Sequence, residues 1–199
     1  MTSFGPNKPR FIVVTGGPGA GKTAILEVLR QHYPSRLGIL PEAASIVFGG
    51  GFPRRRSVPA RRAGQRAIFH VQRELEALAK EEGSAPLVLC DRGTIDGLAY
   101  WPGNPQDFFG GTGTTYETEL ARYQMVIHLR TPPADGGYDH TNPLRIETAE
   151  EAAEIDARIE HAWLPHPNRV IVENNSMFVH KVERVLALVK TELERKSAP

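Results

Sequence analysis

The chain has 199 residues, of which 40% are hydrophobic, and its formal net charge at pH 7 is +1. This size suits one compact α/β domain with a small lid, and the near-neutral charge argues neither for nor against nucleic acid as a partner. The single cysteine, Cys90, excludes an internal disulfide framework, and without a signal-peptide pattern or a long apolar segment we expect a cytoplasmic protein with no membrane span.

The first predicted elements are a strand, a glycine-rich loop and a helix. Arg10–Thr15 is short, apolar and β-branched, as a buried parallel strand should be. Residues 16–23 have the spacing G-x-x-x-x-G-K-T. A helix is expected over residues 24–33, with one apolar face formed by Ile25, Leu26 and Leu29. A strand, loop and helix with this spacing are typical of a phosphate-binding P-loop.

Each part of this motif has a chemical task. Glycines let backbone N–H groups wrap around an anion, and the positive end of the following helix adds to the site. Lys22 is expected to reach the β- and γ-phosphates, and the Thr23 hydroxyl to bind Mg²⁺. We therefore predict nucleotide contacts from Gly17, Pro18, Gly19, Ala20, Gly21, Lys22, Thr23 and Ala24.

A second strand is predicted at residues 38–40, and a helix begins directly after it around Glu42. In open parallel sheets, ligands bind beyond the carboxyl ends of the strands, so Glu42 lies where a functional carboxylate would lie. The other interpretation is an ordinary acidic residue in the first turn of a helix, where the helix dipole favours it. Position alone leaves both interpretations open.

An arginine-rich stretch follows a glycine-rich loop, predicted to be flexible, at residues 48–53, and a helix is predicted over residues 60–82. Three interpretations are open: a solvated helix face, a cationic rim for an anionic substrate, partner or phosphates, or a patch for RNA or anionic lipid. Only Phe69 adds an aromatic ring, which argues against nucleic acid. The stretch contains Arg54, Arg55, Arg56, Arg61, Arg62, Arg66 and Arg73.

A third buried strand is predicted at residues 87–90, and it ends in Asp91-Arg92-Gly93. A P-loop enzyme places a Mg²⁺-associated carboxylate at such a strand end, so we predict that Asp91 shares the metal site with Thr23. Arg92 would lie near the phosphates, where a guanidinium stabilises charge during transfer. The alternative for Asp91 is a helix N-cap.

The next segment is aromatic and then glycine-rich. A short helix is predicted over residues 95–101, and residues 102–105 interrupt it. Residues 110–113 are predicted to form another flexible segment, and residues 115–123 a helix. Two roles are open for four aromatic side chains, a pocket for a planar substrate or core packing: Tyr100, Trp101, Phe108 and Phe109.

A fourth strand is predicted at residues 125–129, and a polar, turn-rich segment follows it. We predict a lid at about residues 131–147 that closes over phosphates and excludes water. Arg130 and Arg145 are candidate lid or phosphate arginines. Both have a second interpretation, which is structural pairing with an acidic residue, Asp139 or Glu147.

The remaining elements complete the alternation of strands and helices. Helices are predicted over residues 148–163 and 178–196, and a fifth strand over residues 169–173. Asn174, after that strand, is predicted to meet the nucleotide base. None of the seven histidines forms a ligand pair, so we predict no transition-metal site.

Four short motifs carry a resemblance to a known family: the P-loop, Pro41-Glu42-Ala43-Ala44, Asp91-Arg92-Gly93 and Asn142-Pro-Leu-Arg-Ile-Glu147. On these, the chain resembles, over nearly its full length, the AAA-domain P-loop ATPases related to the kinase domain of the bifunctional NadR protein and to the TRPL translocation defect 14 protein. The resemblance implies a nucleoside- or nucleotide-kinase-like fold with a parallel sheet in the order 2-3-1-4-5.

The same resemblance implies roles for three residues. By similarity to deoxynucleoside kinases, Glu42 would be the base that activates the acceptor hydroxyl, and Asp91 and Arg92 would lie at Mg²⁺ and the phosphates. Gly93 stands where those kinases carry serine. One branch of the resembled family is linked to phosphoinositide and GTP binding.

We therefore predict a single three-layer α/β P-loop NTPase domain over residues 1–199, with right-handed crossovers. The first hypothesis is a Mg²⁺-dependent phosphotransferase that uses ATP, or GTP, to phosphorylate a small hydroxyl-bearing metabolite, for example a nucleoside-like one. The second is a nucleotide-dependent switch with slow hydrolysis, whose arginine stretch holds a macromolecular or anionic-lipid partner. Because the chain has no Asn-Lys-x-Asp guanine signature, we favour ATP. The sequence leaves the acceptor and the oligomeric state open.

Overall fold

The structure, a computed structural model, describes residues 8–83, 85–132, 148–174 and 177–195. From residue 133 onward the predicted lid lies outside these ranges, and so does Arg145. No helix in the described part of the chain has the length and apolar character that a membrane span requires.

Five parallel strands form one sheet in the order β2-β3-β1-β4-β5, which confirms the predicted order. Alternate side chains of β1 point to opposite faces and enter two separate cores, as the pleat of a strand requires. The strands are β1 Arg10–Thr15, β2 Leu37–Leu40, β3 Leu87–Asp91, β4 Met125–Leu129 and β5 Arg169–Val172.

Helices cover both faces of this sheet, so the predicted three layers are confirmed. Side chains of α1 and α7 pack on one face, and those of α3, α6 and a 3₁₀ helix pack on the other. The helices are α1 Lys22–His32, α2 Ala43–Gly49, α3 Val58–Glu82, the 3₁₀ helix Thr94–Tyr100, α4 Pro105–Thr112, α5 Tyr116–Leu120, α6 Ala149–Ala162 and α7 Phe178–Glu194.

The prediction of a flexible segment at residues 110–113 is wrong, because α4 includes Gly110 and Gly111. The Asn104 side chain accepts a hydrogen bond from the Gln106 N–H at 3.0 Å and so caps the start of the helix. The predicted loop at residues 48–53 likewise begins later, since α2 continues to Gly49.

Three of the four aromatic residues whose role the sequence leaves open belong to the core. Trp101, Phe108 and Phe109 are buried and pack with Phe69 in a small apolar cluster. Edge-to-face contacts of Phe108 with Phe69 and Trp101, at centroid distances of 5.8 and 5.3 Å, hold α3, α4 and the 3₁₀ helix together. Tyr100 is only half-buried and lines a cavity that is described below.

The single cysteine lies in the third strand. Cys90 is fully buried, and this burial raises the pKa of its thiol well above the usual value. It is a small core residue next to Asp91, and a thiol of this kind is chemically inert.

Candidate functional site

The loop between β1 and α1 depends on three glycines with positive φ. Gly16, Gly19 and Gly21 have φ values of 134°, 81° and 89°, which residues with a side chain rarely adopt. Because α1 begins at Lys22, the positive end of this helix lies within the loop. A loop of this kind next to a helix N-terminus is suited to bind an anion.

Lys22 is buried against the loop that carries it. Its Nζ donates hydrogen bonds to the carbonyl oxygens of Gly16 and Gly17 at 2.9 and 3.0 Å. Burial lowers its pKa to about 8, with Arg92 acting in the same direction and Asp91 opposing it. The ammonium is therefore mainly protonated at neutral pH. Thr23 is exposed on the first turn of α1.

Asp91 ends β3, in register with Val14 of β1. Its Oδ1 is buried and has no hydrogen-bond partner among the described residues. Burial raises the pKa of this carboxyl to about 6, and Lys22 opposes the shift. The 3₁₀ helix has Gly93 at its N-cap position, so the alternative prediction that Asp91 caps a helix is wrong.

An oxygen left without a partner in this position fits a hard cation such as Mg²⁺, which prefers oxygen ligands and takes few of them from the protein. Asp91 and the exposed hydroxyl of Thr23 are residues of the right chemical type to hold it. In the described ranges there is no cluster of three or more His, Cys, Asp or Glu that could hold a metal ion. The oxygen donors of Asp91 and Thr23 are the ligand type that Mg²⁺ prefers.

Glu42 lies directly before α2 and is held by two neighbours. Its Oε1 accepts a hydrogen bond from Arg92 Nε at 2.7 Å, and its Oε2 accepts one from the Ser45 hydroxyl at 2.5 Å. Burial raises the pKa of Glu42, but Arg92 and Ser45 outweigh it and lower the pKa to about 2. Glu42 is therefore a permanently ionised carboxylate at neutral pH.

Arg92 connects Glu42 to the P-loop. Its Nη1 donates a hydrogen bond to the Gly16 carbonyl at 3.2 Å and lies 3.8 Å from Asp96 Oδ2. The backbone of Arg92 has a φ of 73°, a left-handed conformation that is strained for a residue with a side chain. The structure thus brings Glu42 and Arg92 together at the loop that carries Lys22.

Two buried aspartates position these elements, and the sequence analysis missed both. Asp96 accepts hydrogen bonds from the Thr15 hydroxyl at 2.8 Å and from Trp163 Nε1 at 2.6 Å. The sequence does carry one signal for Asp96, which is that it follows Asp91, the last residue of a buried strand, by five positions.

The second aspartate, Asp156, belongs to α6. It accepts hydrogen bonds from Gly17 N at 2.7 Å and from Thr131 N at 3.4 Å, and its Oδ1 lies 3.0 Å from His128 Nε2. Burial raises its pKa, but these hydrogen bonds outweigh burial and lower the pKa to about 2. Nothing in the sequence marks this residue, because it is 139 positions from Gly17.

Arg130 is surrounded by acidic side chains. It lies 2.5 Å from Glu160, 3.5 Å from Asp156 and 3.5 Å from Glu173. The structure therefore gives Arg130 structural partners, but others than the sequence analysis considered, since Asp139 and Glu147 lie outside the described residues.

Asn174 is also engaged by the protein itself. Its Nδ2 donates a hydrogen bond to the Thr131 carbonyl at 2.7 Å, and its Oδ1 accepts one from Lys181 Nζ at 2.5 Å. Lys181 is buried and also donates to the Arg130 carbonyl at 2.8 Å. These bonds fix the carboxyl ends of β4 and β5 to each other.

Phe178, at the start of α7, is a further residue that the sequence analysis missed. A Cβ built on Gly21 would lie 2.6 Å from its ring, so the ring packs directly on the P-loop. The residue is 48% exposed, which leaves much of the ring open to solvent.

A cavity of about 290 Å³ lies next to the P-loop, between α2, α3 and the 3₁₀ helix. It is lined by Pro18 of the loop and by Glu42 and Arg92. One face of α3 forms a wall, through residues at a spacing of four: Ala60, Arg61, Gly64, Gln65, Ile68, Phe69 and Gln72.

Six of the seven arginines of the arginine-rich stretch, all except Arg66, divide into two groups. Arg62 pairs with Asp107 at 3.1 Å and Arg73 pairs with Glu119 at 2.6 Å, so these two are structural. The other group lines the cavity: Arg54, Arg55, Arg56 and Arg61.

Comparisons with known proteins agree with this architecture. The structure is similar to that of thymidylate kinase from Candida albicans, with a TM-score of 0.60 and 13% sequence identity over 93% of this chain and 92% of that chain. A search of curated proteins gave no match. A family model described as AAA domain matches residues 11–178. The chain therefore belongs to this AAA-domain family of P-loop proteins and has a kinase-like fold.

Proposed function

We propose that the protein is a Mg²⁺-dependent kinase that transfers the γ-phosphoryl group of ATP to a small hydroxyl-bearing acceptor. The observation that carries the proposal is the cavity beside the P-loop, because Glu42 and Arg92 line it together with Pro18. Transfer to a second substrate needs such a pocket, whereas hydrolysis needs only water. GTP is the other candidate nucleotide, and we expect the reaction in the cytoplasm.

On the nucleotide side, the P-loop N–H groups and Lys22 hold the phosphates. The ring of Phe178, which packs on Gly21, offers the base a surface for stacking. Asn174 orders the strand ends beside it through its bond to Thr131. Thr23 and Asp91 hold Mg²⁺, which when bound neutralises charge on the phosphate oxygens.

In the transfer step, the acceptor oxygen attacks the γ-phosphorus, and the bond from that phosphorus to the bridging oxygen breaks, so that ADP leaves. The acceptor proton passes to the carboxylate of Glu42. A carboxylate with a pKa of about 2 is a weak base, so its main contribution is to orient the hydroxyl. This suffices because phosphoryl transfer has a loose transition state that depends mostly on positioning and charge.

Arginines neutralise the charge of the transferred group. Arg92 does this from the P-loop side, and Arg145 does it from the lid at residues 131–147 when the lid closes. Arg130 is the remaining candidate of this type, although its acidic partners favour a structural role.

The test is a transfer assay with ATP, Mg²⁺ and a deproteinised metabolite extract, followed by ADP release and by mass spectra of the metabolites. We expect faster ADP release and one metabolite that gains a phosphoryl group. Glu42→Gln should lower transfer by roughly 10²–10⁴ while ATP affinity stays the same. Glu183→Gln, at an exposed position on α7, is the matched control. Slow ADP release with no altered metabolite would contradict the proposal.

The second candidate is a nucleotide-dependent switch with a macromolecular or anionic-lipid partner. The low pKa of Glu42 favours it, because a switch needs no general base. The resemblance to proteins related to the NadR kinase domain supports the kinase, and the branch of the resembled family that is linked to phosphoinositide and GTP binding supports the switch. A switch would tolerate Glu42→Ala and keep nucleotide-dependent partner binding.

A further inference from the structure

We propose that the acceptor carries an anionic group, a phosphate or a carboxylate, that binds where residues 54–57 meet the N-terminus of α3. This inference rests on the proposed kinase function and adds the chemical class of its substrate. Three observations support it: the end of a long helix, the arginines before it and the shape of the cavity.

The first observation is the N-terminus of α3. This helix has 25 residues, its first turn contains no acidic residue, and the side chain of Ser57 at the N-cap makes no capping hydrogen bond. The positive end of the helix is therefore not neutralised by a side chain of its own first turn. Ala60 and Arg61 of this turn line the cavity, so the helix end borders the ligand space.

The second observation is the positive charge at the same place. Arg55 and Arg56 line the cavity, are exposed, and form no ion pair with a residue in the described ranges. The guanidinium of Arg54 lies 5.2 Å from the centre of the Phe48 ring. Arg61 is fixed by its hydrogen bond to the Tyr100 carbonyl at 2.8 Å.

Among the described residues, no acidic side chain forms an ion pair with Arg55, Arg56 or Arg61. The acidic residues of these ranges that line the cavity are Glu42 and Asp96, and both lie within 4 Å of Arg92. The guanidinium groups of Arg55, Arg56 and Arg61 near the helix end form the kind of arrangement that binds phosphates and carboxylates in proteins.

The third observation is the shape of the cavity. Glu42 precedes α2 and the arginines at residues 54–56 follow it, so the two groups line the cavity from opposite ends of the α2 segment. The walls between are mostly apolar or aromatic: Phe48, Ile68, Phe69 and Tyr100. The acceptor therefore has a hydroxyl at one end, an anionic group at the other and an apolar or planar part between them.

The size of the cavity favours a small molecule over a polymer or a membrane. Its volume of about 290 Å³ is at the lower end for small-ligand pockets. A phosphorylated or carboxylated metabolite fits this volume, and its anionic group reaches the arginines without a surrounding bilayer.

The first test separates the metabolite extract on an anion exchanger at pH 7 before the transfer assay. We expect the acceptor in the retained fraction. The Arg55→Gln/Arg56→Gln variant should raise the KM for this acceptor at least tenfold and leave the KM for ATP unchanged. The matched control is Arg158→Gln/Arg184→Gln, which removes two exposed arginines from α6 and α7.

The outcomes separate this inference from the proposed function. If an acceptor is phosphorylated but elutes with the neutral compounds, or if the double variant leaves its KM unchanged, the inference is wrong and the kinase remains. If no fraction is phosphorylated, both are wrong.

A second test needs no turnover. The protein is first saturated with a non-hydrolysable ATP analogue and Mg²⁺, so that the P-loop is occupied. Inorganic phosphate is then titrated into it in a calorimeter. We expect binding that weakens at least tenfold in Arg55→Gln/Arg56→Gln and is retained in the control. Equal binding in all three proteins would overturn the inference. A second result would also overturn it. This is binding to vesicles of phosphatidylcholine and phosphatidylinositol 4-phosphate that is lost in Arg55→Gln/Arg56→Gln, when no soluble acceptor is found.

Discussion

The two sides of the P-loop differ in how their polar groups are used. On the side of β4 and β5, Asp156, Arg130 and Lys181 are all bound to other groups of the chain, although His128 Nδ1 and Thr131 Oγ1 are buried without a partner in the described ranges. On the side of β2 and β3, Asp91 has a buried oxygen without a partner in the described ranges, and Glu42 and Arg92 line a cavity. The first side supports the loop through its charged groups, and the second side borders the cavity in which we propose that the acceptor binds.

The physical reason lies in the cost of an unpaired polar group. A buried carboxylate oxygen without a hydrogen bond destabilises the folded state by about 1–3 kcal/mol. Such a cost is retained where a bound ligand or ion supplies the missing partner. The unpaired Asp91 oxygen, together with the cavity that Glu42 and Arg92 line, supports the proposed site at the carboxyl ends of β1, β2 and β3.

Lys22→Ala should have the largest effect, because Lys22 belongs to the loop that both sides share. We expect turnover to fall below detection and triphosphate affinity to fall by about 10²–10³. A fluorescent-nucleotide titration and ADP release measure both quantities. Lys190→Ala, at a position 66% exposed on α7, is the control. Unchanged affinity and turnover in the Lys22 variant would contradict the nucleotide site itself.

Asp91→Asn tests the ligand side. The variant keeps the shape of the side chain but removes the charge that would hold Mg²⁺, so turnover should fall by about 10² and more Mg²⁺ should be needed for half-maximal rate. A Mg²⁺ titration of ADP release measures this. A Mg²⁺ dependence that matches the unmodified protein would remove Asp91 from the metal site.

Asp156→Asn tests the supporting side and should affect stability first. Asp156 has a pKa of about 2 in the folded protein, against 3.8 as its ordinary value. Its ionised form therefore stabilises the fold fully above about pH 4, and this contribution is lost as the pH falls toward 2. We expect the free energy of unfolding of the variant at pH 7 to be about 1–3 kcal/mol lower than that of the unmodified protein.

The same variant makes a prediction about pH. The difference in the free energy of unfolding between the two proteins should be constant from pH 7 to 5 and should narrow below pH 4. Urea unfolding at several pH values measures it. A difference that grows as the pH falls would show that the ionised form of Asp156 is not the stabilising one.

Arg130→Gln should have the smallest effect, if the comparison of the two sides is right. Its ion pairs are partly exposed, so their loss should lower the free energy of unfolding by about 0.5–1 kcal/mol and leave the transfer rate nearly unchanged. Thermal unfolding and the transfer assay together decide the point. A rate that falls by 10² or more would instead place Arg130 at the transferring phosphate.

The sequence predicted the parts of the fold that local patterns determine. The strands are short apolar runs, and the spacing of residues 16–23 identifies the loop before α1. The rule that ligands bind beyond strand ends selected Glu42, Asp91 and Arg92, which lie near one another in the structure.

Other features depend on contacts between distant segments, which local patterns do not reveal. The helical state of Gly110 and Gly111 depends on the cap at Asn104 and the burial of Phe108. The division of the arginines depends on which of them meet acidic residues of α4 and α5, as Arg62 and Arg73 do.

The burial of Cys90 makes its reaction with a thiol reagent a measure of local opening. Because the thiol is inaccessible in the folded sheet, a reagent can modify it only when β3 opens, and the labelling rate therefore reports how often β3 opens. Nucleotide that binds the closed form alone would slow labelling in proportion to its occupancy. Labelling of the one cysteine of the chain can thus measure nucleotide binding without catalytic turnover.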